Sequence, residues 1–134
     1  MNRELSDDRY CFACGPLNPI GLQMEVSFQD NKAFSRLSLR REFQGWKDMV
    51  HGGVVATILD EIMAHAVIHY IGQALTTSLQ ITYRAPLHVE DEIEVVGYVA
   101  ERKRRLAIAR AEISIPGGDK VIATGESKFL LVNR

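Results

Sequence analysis

Two adjacent carboxylates, Asp60 and Glu61, stand in the middle of VHGGVVATILDEIMAH (residues 50–65), a stretch otherwise apolar almost all the way round a helix. An ionised acid on a buried helix costs on the order of several kcal/mol unless it is paired, hydrogen-bonded or used. The pair therefore asks for partners or for a task, and a carboxylate in a cleft can serve as general base or nucleophile. On a helical wheel Asp60 is flanked by Ala56, Thr57, Ala64 and Val67, whose modest size leaves room for a ligand, whereas Glu61 lies toward His65. Glu61, His65 and His69 share one face at i, i+4 and i+8. That face suits either a metal or a Glu–His pair with a second histidine near the helix C-terminus, where the dipole favours a cation. The pair is the expectation, and no metal or cofactor is assigned.

Two cysteines, Cys11 and Cys14, occur in CFACG. Two are too few for a disulfide scaffold or a four-ligand zinc site within one chain. Thiols packed in a loop are expected, with a redox pair or half of a shared zinc site as alternatives. His51 is expected to orient its loop or cap locally, and His88 to sit in a loop.

The elements that hold these groups read as one domain over residues 1–134. The content is 46% hydrophobic and 25% charged, as in an ordinary soluble globular chain. A net charge of −1 argues against nucleic acid as the main partner. No uninterrupted apolar run reaches a membrane span of ~18 residues, and residues 1–10, expected to be mobile, lack the basic and apolar regions of a signal peptide. A cytoplasmic protein without a membrane partner is the expectation. CFACGPLNPIGL (11–22) is a turn-rich loop. QMEVSFQ and AFSRLSLRR read as a hairpin about Asp30-Asn31, and residues 42–53 as a second loop. Val54 to about Tyr70 reads as the one long helix, with Gly72 placed for a left-handed C-cap. TTSLQITYRAP (76–86) alternates Thr77, Leu79, Ile81 and Tyr83 against Ser78, Gln80, Thr82 and Arg84. Three more strand-like segments follow, separated by Arg102–Arg105 and by Pro116–Asp119. One apolar helix with five or six strands implies an α+β fold whose antiparallel sheet curls around the helix.

His51-Gly52-Gly53, an acid nine residues after the histidine, the helix, and a strand ending Ile81-Thr82-Tyr83-Arg84-Ala85-Pro86 together resemble the hotdog-fold acyl-CoA thioesterases, in particular their PaaI-like branch. CFACGPLNPIGL also resembles the CxxCG…NPxGL opening of one group there. The resemblance covers essentially the whole chain. It implies a long central helix wrapped by a curved antiparallel sheet, and hydrolysis of an acyl-coenzyme A to free acid and CoA. It also implies that Gly52 donates its N–H to the thioester carbonyl, with Gly53 and His51 beside it, and that Asp60 is nucleophile or general base. Thr76 then helps place water or the carboxylate. Where some members use an amide six residues before the histidine this chain has Gly45, with Gln44 adjacent as a possible substitute.

The residues support the first two roles independently. Gly52 has no Cβ to obstruct a carbonyl, and its N–H belongs to the orphan donors of a first helical turn. Eight residues at ~1.5 Å rise put Gly52 and Asp60 about 12 Å apart along the axis, too far to share one carbonyl. Two antiparallel helices related by a two-fold would bring Gly52 of one subunit to Asp60 of the other, so a homodimer with two shared sites is expected, a dimer of dimers being left open. Coenzyme A carries phosphates, which gives Arg102–Arg105, Arg40, Arg41 and Arg84 an alternative to a solvated role. Two other functions remain: an acyl-thioester hydratase or dehydratase on the same fold, and a non-catalytic acyl-CoA sensor or carrier.

Overall fold

The computed structural model describes residues 5–132. Strands β1 (Ser27–Gln29) and β2 (Lys32–Ser38) lead through a short 3-10 turn, Arg41–Phe43, into helix α1 (Gly52–Tyr70). Strands β3 (Ala74–Tyr83), β4 (Glu92–Lys103), β5 (Leu106–Ser114) and β6 (Val121–Leu131) follow. All six strands form one antiparallel sheet in the order β1-β2-β4-β5-β6-β3.

Local chemistry sets the turns. Asp30 and Asn31 both take positive φ, 52° and 64°, as a two-residue type I′ hairpin requires. Arg104 does the same at 51° between β4 and β5, and Gly117 at 76° between β5 and β6.

A transverse row of small residues decides where the helix lies. Ala33, Gly97, Ala111 and Gly125 are register partners across β2, β4, β5 and β6. A Cβ on Gly97 would stand 3.1 Å from the Ile62 carbonyl oxygen, and one on Gly125 would stand 3.1 Å from the Met63 methyl carbon. The helix thus rests almost on the sheet backbone. Val55, Ile58, Leu59, Ile62, Met63, Ala66 and Val67 are its buried residues, and each of the larger side chains contributes about 1.5–3 kcal/mol by leaving water. By length and mean hydropathy alone α1 is able to cross a membrane, yet it is the helix on which the core of this sheet is built.

Three expectations are corrected in detail. The helix starts at Gly52, two residues early, because His51 caps it. β3 starts at Ala74 rather than residue 76. Gly72 has no positive φ: the Ile71 and Gly72 N–H groups both donate to the Val67 carbonyl, at 2.8 and 3.1 Å. The next strand begins only two residues after Gly72, and the chain turns into it through Ile71 at φ −124° and ψ −63°, with no length for a left-handed reversal.

Of the residues expected to be mobile, those numbered 1–4 lie outside the described residues. Leu5 exchanges two hydrogen bonds with the Gln73 side chain, at 3.4 and 3.0 Å. Asp7 and Asp8 accept from the N–H groups of Arg9 and Tyr10.

Candidate active site

The loop before the helix is tied tightly. Gln44 bridges Val50, the Gly45 N–H donates to the Met49 carbonyl at 2.8 Å, and the His51 N–H donates to that of Phe43 at 2.9 Å. The Asp48 N–H donates to Gln44 Oε1 at 3.0 Å. Both alternatives for a second carbonyl-binding group are thereby drawn into the loop: the Gly45 N–H is spent, and Gln44 keeps only its Nε2 as a donor.

His51 is the N-cap of α1, its Nδ1 accepting the Gly53 N–H at 2.8 Å. Gly53 is therefore satisfied internally, whereas the Gly52 N–H has no partner among the described residues. It is the open donor at the positive end of the helix dipole. Tyr83, at the end of β3, donates its hydroxyl to the Gly52 carbonyl at 2.7 Å and fixes that peptide. In the sequence Tyr83 belongs to the strand-end motif that carries the resemblance, but the motif gives it no role at the site, and nothing in the spacing announces this contact. A cleft of about 740 Å³ opens here, lined among others by Trp46, His51, Gly52, Val55, Tyr83 and Arg84.

Asp60 is not in that cleft. It lies half-buried along the same helix, and Thr76 donates its hydroxyl to Asp60 Oδ1 at 2.8 Å. Strict alternation would have put Thr76 on the face opposite Leu79, Ile81 and Tyr83. A bulge between Thr76 and Ser78 breaks the register and swings Thr76 back toward the helix, since one extra residue exchanges the two faces of a strand. Burial pushes the Asp60 carboxyl above the ordinary aspartate range, the Thr76 hydrogen bond opposes this, and the charge of Glu61 adds to the rise. The result is a carboxylate with raised basicity, held in one orientation.

Glu61 has a different environment. Burial alone would raise its carboxyl, but His65, 2.9 Å away, together with the Cys14 and Cys11 thiols brings it below the ordinary range. His69 stands apart from this group, stacked on Phe28 with ring centroids 3.7 Å apart. The i, i+4, i+8 face is thus split after His65. Among the arginines, Arg84 lines the cleft, while Arg40 lies over the Phe43 ring at 4.6 Å. Arg102–Arg105 are exposed at the β4–β5 turn, and His88 is exposed in a loop.

Known proteins share this fold. The chain is 24% identical over 102 residues to acyl-coenzyme A thioesterase 13 of Mus musculus, covering 75% of this chain and 73% of that one. A solved thioesterase superfamily protein superposes with a TM-score of 0.85 at 23% identity; the match covers 91% of this chain and 63% of the other, which is the longer. Smu.793 of Streptococcus mutans, solved bound to acetyl CoA, gives 0.75 at 15% identity over 81% of this chain and 88% of its own. The fold of these structures, a curved antiparallel sheet around a long helix, is the hotdog fold. Residues 48–122, more than half of the chain and spanning the cap, the helix and most of the sheet, match the Thioesterase superfamily, to which the chain belongs.

Proposed function

We propose that this chain is an acyl-CoA thioesterase that works as a homodimer, each of its two sites built from both subunits. The observation that carries the reading is the division of the machinery along α1. An open N–H donor, Gly52, borders the cleft, and an oriented carboxylate of raised basicity, Asp60, lies about 12 Å further along the same helix. A second subunit running antiparallel supplies the missing half of each site. The similarity to an acyl-coenzyme A thioesterase, and to a structure solved with acetyl CoA, supports the choice of substrate.

In the assembled site the acyl carbonyl accepts the Gly52 N–H, which stabilises the oxyanion as it forms. Tyr83 and the His51 cap hold the following peptide, Gly52–Gly53, by its carbonyl and its N–H, and so fix the residue that carries the donor. Asp60 of the other subunit either attacks the acyl carbon, giving a mixed anhydride that water then hydrolyses to free acid and the regenerated carboxylate, or takes a proton from the water that attacks and passes it to the leaving sulfur. Thr76 holds the carboxylate at the angle the attack requires, and CoA leaves.

Thiol release from a panel of aliphatic and aromatic acyl-CoAs, followed with a thiol-reactive dye, tests the reading. Wild type releases CoA, and Asp60→Asn loses about 10²–10⁴-fold in kcat while still binding acyl-CoA. Near-wild-type turnover by Asp60→Asn overturns the catalytic assignment. Tight binding with no release by wild type makes the protein a sensor or carrier instead.

A further inference from the structure

The second carboxylate of α1 lies in a donor cluster that the thioesterase reading does not use. Glu61 has a side chain only 17% exposed, and among the described residues its one ionic partner is His65. Cys11 Sγ stands 3.9 Å from both Glu61 oxygens. Cys11 Sγ, Cys14 Sγ and a Glu61 oxygen all lie within 4.8 Å of one another.

The loop is shaped around these sulfurs. The Gly15 N–H donates to the Cys11 carbonyl at 2.9 Å, and the Ala13 N–H points at Cys11 Sγ at 3.4 Å. A Cβ on Gly15 would stand 2.3 Å from the Cys11 nitrogen, so only glycine closes the turn. Buried Asn18 donates from Nδ2 to the Tyr10 carbonyl and accepts the Ile20 N–H at Oδ1. The Leu22 and Met24 N–H groups bond to the carbonyls of Phe12 and Ala13, each at 2.9 Å. CxxCG…NPxGL is in this sense a frame that aims two thiols at a helix carboxylate.

We propose that Cys11, Cys14 and Glu61 bind one divalent metal ion of the zinc type, which fastens the N-terminal loop to α1, with His65 hydrogen-bonded to the Glu61 carboxylate from outside. Two sulfurs and one oxygen suit a borderline-soft tetrahedral cation whose fourth position is taken by solvent. With bonds of about 2.3 Å to sulfur and about 2.0 Å to oxygen or nitrogen, tetrahedral zinc sets ligands roughly 3.3–3.8 Å apart. The 3.9 Å from Cys11 to Glu61 lies within a few tenths of an ångström of that range, and all three donor atoms lie within 4.8 Å of one another. Without a cation, burial and then the negative charge of Glu61 keep the Cys14 thiol protonated. Binding exchanges the two thiol protons for the metal and releases them to solvent, so affinity falls in acid.

The experiment is a Co(II) titration of the full-length chain, reduced and stripped with a chelator. Saturation at one ion per chain, with sulfur-to-cobalt charge-transfer absorption, the intense visible bands of tetrahedral cobalt and displacement by Zn(II), is the expected result. Cys14→Ser abolishes stoichiometric binding, and His65→Ala weakens it about 10–100-fold. No uptake by the reduced wild type, an octahedral spectrum without charge transfer, or equal uptake by Cys14→Ser overturns the site. The wild-type titration depends on no variant folding and on no thioester, so its failure leaves the thioesterase reading intact.

Discussion

Asp60 and Glu61 are neighbours with opposite titration behaviour, and each predicts a pH effect. The Asp60 carboxyl is raised in the folded chain, so its stabilising effect is present below the ordinary aspartate value of about 3.9 and lost as pH rises through the folded value. Asp60→Asn should therefore melt above wild type at pH 7, with the difference shrinking in acid; a lower Tm at pH 7 contradicts this. Glu61, held below its ordinary value, contributes stability above that value and loses it as pH falls through the folded one. The Thr76 hydrogen bond is what restrains Asp60. Thr76→Ala should move the acid limb of the kcat profile to higher pH, while Thr76→Ser should leave it in place. Arg84 is the one arginine or lysine among the described residues that line the cleft. Charge reversal there should raise KM for acyl-CoA, more at low salt than at high, because exposed charge contacts are screened; a KM unchanged at every salt concentration returns Arg84 to a solvated role.

At the scale of elements, the close seat of α1 on the sheet separates two glycines that look alike in sequence. A Cβ on Gly97 meets the Ile62 carbonyl, which is helix backbone and has no rotamer to change, whereas a Cβ on Gly125 meets first the flexible end of Met63. Gly97→Ala should cost about 1–3 kcal/mol by overpacking, and Gly125→Ala distinctly less. Equal losses in urea denaturation would show that the helix shifts as a body. The cap also changes the reading of Gly52→Pro. Gly52 is the first helical residue, behind an extended His51 with ψ near 135°, and proline is well accommodated at that position. The substitution removes the proposed oxyanion donor with little of the strain that the sequence alone suggests.

For the whole molecule, the exposed edge carries the consequence. β3 is an outer strand, and Leu75, Leu79 and Tyr83 on it are 52%, 38% and 54% exposed. An apolar strand edge of this kind invites a second strand, in keeping with the proposed homodimer. If each site takes Gly52 from one chain and Asp60 from the other, Gly52→Pro and Asp60→Asn are separately inactive. Mixed under subunit exchange they form heterodimers with one intact and one doubly damaged site. Activity should return to about a quarter of wild type, since half the dimers are mixed and half their sites intact. No recovery despite demonstrated exchange would remove the cross-subunit site.

The sequence by itself determined the helix, the hairpin about Asp30-Asn31 and the succession of strands, because hydrophobic period and turn chemistry act over a few residues. It also singled out Asp60, since a carboxylate among small apolar neighbours is conspicuous without any fold. Only the tertiary structure decided how Thr76 reaches Asp60, because that contact depends on a bulge in β3, and alternation in the sequence assigns Thr76 to the other face. Tyr83 on the Gly52 carbonyl and the cysteines against Glu61 were hidden for the same reason. Each joins residues 31 and about 50 positions apart, and the contact exists only once the sheet has curled around α1 and the N-terminal loop has folded back onto it.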